Sequence, residues 1–147
     1  MHYRPAEPVD EYVARLETGA DWRAEIEALA DAVEADAGWF TGLGAVSDAR
    51  LWFYDQVERA YAPVAFDEPL EVAACVGNVS LLPTEAEGEC ERFAHTHVVC
   101  SRPDGSTVAG HLDSATVFAG EVHLRVFERG LEREHHEPTG LDLWDLR

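Results

Sequence analysis

The segment FAHTHVVCSRPDGSTVAGHL, residues 93–112, holds three of the chain's seven histidines, His95, His97 and His111, with a turn sequence between them. Arg102-Pro-Asp-Gly105 favours a tight reversal, because proline presets one turn position and glycine accepts left-handed backbone at another. The runs on either side then read as antiparallel strands. Residues two apart on a strand project from one face, so His95 and His97 point together. If Arg102 pairs with Ser106 across the turn, His97 lies directly opposite His111, and facing Cβ atoms stand about 4.5–5.5 Å apart. A slip of one residue would put Gly110 or Leu112 there instead.

Three imidazoles that close admit two readings: polar residues satisfied at a strand end, or ligands to one metal ion. Zinc takes nitrogen ligands at about 2.0–2.1 Å, and catalytic sites leave a fourth position for water or substrate. Histidines without a paired cysteine suit that open type better than a closed structural site. Neutral imidazole is the ligand form, so binding is expected to weaken as pH falls through the ordinary histidine range near about 6.5. His123, His135 and His136 lack such an arrangement. His123 alternates with Arg125 on an exposed face, and His135-His136 lies in a charged segment.

Outward from this segment, EYVARL (residues 11–16) reads as a first strand and DWRAEIEALADAVEADAG as a helix. Trp22, Ile26, Leu29 and Val33 recur at helical spacing, Asp21 suits the N-cap and Gly38 the C′ position. WFTGLGAVSDARLWFYD reads as two short extended segments about a turn near Ser47 and Asp48. Gly42 and Gly44 form only GxG with no helix start behind them, which fits a bulge or closely approaching backbones better than a phosphate cradle. LEVAACVGNVSLL (residues 70–82) reads as a buried strand interrupted at Gly77-Asn78, and PTEAEGECE as an acidic loop. Strands follow at 92–100, 106–118 and 121–128, with a short one near 131–135. One principal helix packed on a mainly antiparallel sheet predicts an α+β fold in a single domain, residues 1–147. Asn78 and Ser80 either line a pocket or hydrogen-bond a turn.

The chain carries 29 acidic and 11 basic residues, a formal charge of −18, and every basic residue is arginine. Such self-repulsion destabilises a compact state in dilute buffer. The surface therefore predicts a salt-adapted protein of an extreme halophile. No apolar run approaches the roughly 20 residues of a membrane span, and the start lacks a signal-peptide core. Cys75, Cys90 and Cys100 show no CxxC spacing, and Cys75 and Cys100 sit in apolar runs. A cytoplasmic protein with reduced thiols is expected.

The order GLGAVSDARLWFYD, LEVAACVGNVSL, HTHVVCSRPDGSTVAGHL and EPTGLDLWDL resembles the plant and prokaryote conserved (PPC) domain, here of the stand-alone archaeal and bacterial type. The likeness runs from about Glu11 to Leu146. It implies an α+β fold, a homotrimer, and a metal site, usually zinc, on His95, His97 and His111. The fold is also similar to that of acetolactate decarboxylase, another zinc protein with an HxH pair and a further histidine. No confident counterpart of that enzyme's other catalytic residues is visible; Glu121 and Asp113 are candidates for an accessory acid. In plants the domain is joined to AT-hook segments of nuclear DNA-binding proteins. This chain has no Arg-Gly-Arg-Pro core and no cluster of cations, so direct nucleic-acid binding is not expected.

Two functions follow. One is a regulatory or assembly module, a trimer carrying zinc. The other is a zinc-dependent lyase or hydrolase for a small carbonyl or carboxylate ligand. The charge balance makes its own prediction. At about 1 M salt the Debye length is near 3 Å, so thermal midpoints should rise clearly from low to molar potassium chloride, and equal midpoints would remove the salt-adapted reading.

Overall fold

The computed structural model describes residues 1–86 and 88–146. The chain runs β1 (Pro8–Leu16), α1 (Trp22–Ala32), β2 (Ala37–Asp55), β3 (Ala60–Phe66), β4 (Leu70–Pro83), β5 (Cys90–Ser101), β6 (Thr107–Phe127), β7 (Arg133–His136) and β8 (Leu141–Trp144). The expected α+β architecture is observed. The main sheet has the order β1-β6-β5-β4-β2-β3, every pairing in it is antiparallel, and β6 also pairs with β2, so the sheet curls back on itself. β7 and β8 form a separate two-stranded sheet. No helix among the described residues is long and apolar enough to cross a membrane.

Asp21 caps α1 as predicted: its Oδ1 accepts the Ala24 N–H at 2.8 Å, while Oδ2 accepts the Ala115 N–H at 2.9 Å and ties the helix start to β6. Trp22, Ile26 and Ala30 are fully buried in the core with Phe40, Val79, Val98, Leu112 and Leu124; Leu29 and Val33 pack at its margin. Cys75 and Cys100 are buried there as free thiols. The helix ends earlier than its periodicity suggests. Val33 caps it, Glu34 takes the left-handed conformation (φ 54°), and Gly38 lies inside β2 instead of at C′.

Three other expectations change. The Ser47-Asp48 turn is a register shift within one long strand, β2. The break near residues 119–120 is absent, and β6 is continuous. β4 likewise runs unbroken through Gly77-Asn78. At Gly77-Asn78 and near residue 120, pairing on both sides of the strand outweighs the local weakness of small or polar residues; at Ser47-Asp48 the pairing of Asp48 with Thr116 on β6 carries the strand across. The expected irregularity at Gly42 and Gly44 is present as a shift in the β2–β4 register. The edge strand β3, with Pro63 opposite Trp52, and β8 were not singled out as strands from the sequence.

Gly77 shows why β4 carries a glycine at its centre. A Cβ there would collide with the His95 carbonyl oxygen and the Phe40 ring, both fixed by strand pairing and core packing. Gly77→Ala should therefore lower stability by about 1–3 kcal/mol through overpacking, visible as a lower thermal midpoint. An unchanged midpoint would mean that β4 and β5 pack more loosely than described here.

Candidate metal centre

The turn joining β5 to β6 sets the geometry. Arg102 N–H donates to the Ser106 carbonyl at 2.9 Å, Gly105 N–H donates to the Arg102 carbonyl at 2.9 Å, and Gly105 takes φ +81°. Asp104 Oδ1 accepts from the Ser106 N–H and hydroxyl at 2.9 and 2.7 Å, tightening the loop. The strands leave this turn with His97 opposite His111, the register predicted for it. Along β5, Ala94, Thr96 and Val98 face the core, which turns His95 and His97 to the other side.

The three histidines converge. His95 Nε2 and His97 Nε2 are 3.2 Å apart, and one ring nitrogen from each of the three lies within 4.8 Å of the others. Two nitrogens bound tetrahedrally to zinc at the usual bond length stand roughly 3.3 Å apart, so the observed pair already has ligand spacing. His111 Nδ1 is buried without a hydrogen-bond partner among the described residues. The donor set, three imidazoles with a nitrogen in want of a partner, fits a divalent metal ion of zinc type.

Burial pushes His95 and His111 down to about 4; the charge of Arg133 and the other two imidazoles add to it at His95, and His97 and Arg23 add to it at His111, where Asp113 opposes them. Burial lowers His97 too. All three rings are thus held neutral, the form a metal needs.

One side of the cluster opens into a cleft of about 710 Å³ between the main sheet and the β7–β8 hairpin. Trp52 and Tyr61 line it beside His111, with ring centroids 6.3 and 5.5 Å from the imidazole. Burial raises the Tyr61 hydroxyl, so it stays protonated. Arg133 lines the cleft too, 7% exposed. Its Nε donates to Ser80 Oγ at 2.7 Å, Nη2 to Asn78 Oδ1 at 2.8 Å and Nη1 to the Asp142 carbonyl at 2.7 Å. Asn78 and Ser80 therefore serve a buried guanidinium, and Asn78 also lines the cleft.

Of the two candidate acids, Asp113 lines this cleft, whereas Glu121 lies ten residues along β6 from His111, in a hollow with Val13, Leu43 and His123. His123 meets Glu11 at 3.0 Å, His135 meets Asp142 at 3.2 Å and His136 meets Thr139 at 2.9 Å; none joins the cluster. Sequence reasoning missed Arg133, Trp52 and Tyr61. Trp52 meets His111 through the β2–β6 pairing, Tyr61 comes from the β2–β3 hairpin, and Arg133 is held by side chains of β4; only the TGLDLW run after Arg133 hinted at a structured C-terminal segment.

The family model of the Plants and Prokaryotes Conserved (PCC) domain matches residues 3–128. The metal-containing protein of Archaeoglobus fulgidus is 34% identical, with a TM-score of 0.90 over 98% of this chain and 99% of that one. A plant- and prokaryote-conserved protein of Pyrococcus horikoshii is 23% identical, with a TM-score of 0.88 over 99% and 97%. A candidate DNA-binding protein of Bacteroides thetaiotaomicron is 24% identical, with a TM-score of 0.82 over 99% and 96%. The expected looser likeness to acetolactate decarboxylase is present in the Bacillus subtilis enzyme, at 15% identity and a TM-score of 0.54 over 84% of this chain and 54% of that one. No curated protein matches the sequence significantly.

The lowered histidines shift the expected pH response. In the folded, metal-free protein His95 and His111 take protons only near about 4, whereas the unfolded chain takes them near about 6.5. The unfolded state then binds more protons between those values, so stability is complete above about 6.5 and is lost as pH falls towards 4. Proton competition with metal should likewise begin below the ordinary histidine range, later than the sequence suggested. Thermal melts of chelated protein across this range, with chelator competition in parallel, check both. Metal lost with a midpoint near 6.5 would contradict the buried, neutral cluster.

Proposed function

Since the chain belongs to the Plants and Prokaryotes Conserved domain family, we propose that it is a homotrimeric zinc protein whose three-histidine centre is open and acts on a small carbonyl or carboxylate compound, as a lyase or hydrolase. The observation that carries this reading is the opening of the histidine cluster into a cleft, with no fourth His, Cys, Asp or Glu joining the cluster among the described residues. A fourth protein ligand would have closed the centre and favoured a purely structural ion.

His95, His97 and His111 would hold the metal. When bound, zinc supplies a Lewis acid that polarises an oxygen or lowers the pKa of its water. The chain's own groups do the rest. Tyr61, kept protonated, is placed on the cleft wall as a hydrogen-bond donor, Asp113, two residues from His111, is the lining carboxylate assigned to proton transfer, and Trp52 excludes water from the His111 side. Support for the trimer comes from the outer sheet face. Val76 pairs with exposed His97, and Val76, Val99 and Trp39 remain 39%, 42% and 42% exposed, apolar surface that a subunit contact would cover.

A regulatory module is the second reading, favoured by that same apolar face. DNA binding is not part of either. Arg23, Arg50, Arg92, Arg102 and Arg125 are each paired with a carboxylate, in a chain of net charge −18, which leaves little for phosphate contacts.

Metal analysis of untagged protein should give about one zinc per chain. His111→Ala should lose most of it and His123→Ala should keep it. Zinc retained by a triple His95, His97, His111 alanine variant would place the ion elsewhere. Proton NMR of small 2-oxo and 2-hydroxy acids incubated with zinc-loaded protein should show one consumed, and none consumed after chelation. A zinc-loaded trimer that consumes none belongs to the second reading, and a monomer mass by light scattering in high salt removes the trimer.

A further inference from the structure

Arg133 is the only buried cationic side chain among the described residues, and no carboxylate pairs with it. Its three acceptors are all neutral: a hydroxyl, an amide oxygen and a main-chain carbonyl. Asp142 accepts from Arg133 through its main-chain oxygen, while its carboxylate pairs with His135 and reaches the guanidinium only through space. A guanidinium has five N–H donors and stays charged in proteins. Three bonds leave one N–H uncommitted on each terminal nitrogen. Burying a charge without a paired counter-charge costs several kcal/mol; Ser80, Asn78 and the Asp142 carbonyl take three of its donors and Phe93 lies 5.4 Å beneath it, but neutral donors would serve those acceptors at lower cost.

The location gives this charge a use. Arg133, His95 and His111 share one cleft, and Phe93 lies between, under Arg133 and 6.3 Å from the His95 ring. The remaining wall is largely apolar, with Trp52, Leu141, Leu143 and Trp144. Two arginines line the cleft, but Arg23 is paired with Glu27 at 3.0 Å; with Asp113 and Asp142 also on the lining, Arg133 matches a monoanion better than a doubly charged phosphate. A cleft of about 710 Å³ is in the range that encloses a ligand much larger than a three-carbon acid.

We infer that Arg133 is a carboxylate-binding residue, and that the ligand of the cleft is an organic acid whose carboxylate sits on Arg133, whose neighbouring oxygen reaches the three-histidine centre, and whose apolar body lies along Trp52 and Trp144. This deepens the proposed function and rests on it only for the oxygen at the metal; the carboxylate contact stands on Arg133 alone.

The test is calorimetry on zinc-loaded protein with benzoylformate, which has a carboxylate, an adjacent carbonyl and an apolar ring. Acetophenone lacks the carboxylate and pyruvate lacks the ring. Loss of one partner of a buried, hydrogen-bonded charge pair weakens binding by roughly thirtyfold or more. Benzoylformate should therefore bind at least that much more tightly than acetophenone, and measurably more tightly than pyruvate. Arg133→Gln should lose the same factor for benzoylformate while retaining its zinc. Because Arg133 also holds Asn78 and Ser80, that variant may only be read if its thermal midpoint is retained; otherwise the wild-type ligand pair decides alone. Repeating the pair on chelated protein separates the two claims: preference for the carboxylate should survive metal removal, so a chain that proves to bind no zinc still tests Arg133. Equal binding of benzoylformate and acetophenone, or no binding of benzoylformate, overturns the inference. Pyruvate binding as tightly as benzoylformate overturns the apolar body, and displacement of benzoylformate by inorganic phosphate at equal concentration overturns the choice of a carboxylate.

Discussion

The β5–β6 register is the constraint on which the site depends. Pro103-Asp104-Gly105 closes the hairpin with Arg102 bonded to Ser106, and everything along the two strands follows from that closure. Because side chains alternate between faces, a slip by one residue would exchange the faces of one whole strand. Leu112, now 1% exposed in the core, would turn outward, and His111 would turn in. The same register that buries Leu112 and Val98 thus gathers the imidazoles. Fold and site are not separate demands here.

The cluster lies in a setting that stabilises neutral bases. Burial removes water from His95 and His111, and nearby cations, Arg133 at His95 and Arg23 at His111, further disfavour imidazolium. A protein needing these rings only as hydrogen-bonding residues would give each a donor or acceptor, as His123 has in Glu11 and His136 in Thr139. In the cluster, by contrast, His95 and His97 meet only each other, Nε2 to Nε2 at 3.2 Å, and His111 Nδ1 has no partner among the described residues. Buried polar atoms without partners are uncommon in folded proteins.

Much of this was legible in the sequence because it is local or periodic. The turn chemistry of residues 102–105 gave the register, the two-residue period put His95 with His97, and the helical spacing of Trp22 and Ile26 marked the buried face of α1. The errors share a physical cause. Ser47-Asp48, Gly77-Asn78 and Ala119-Gly120 look like breaks when read locally, yet each lies in a strand paired on both sides, where the ladder tolerates a shift or a missing side chain. Arg133 was invisible for another reason: its partners, Ser80 and Asn78, lie over fifty residues away on β4. A charged residue in a short terminal strand gives no sign in sequence that it will be buried beside a site.

X-ray absorption at the zinc edge, on protein loaded with one equivalent of zinc, reads the open centre of three imidazoles directly. Four-coordinate zinc is expected, with three imidazole shells and one oxygen ligand at about 2.0 Å, the oxygen giving way to added benzoylformate. A sulfur shell at about 2.3 Å, or a fourth imidazole closing the sphere, would contradict it.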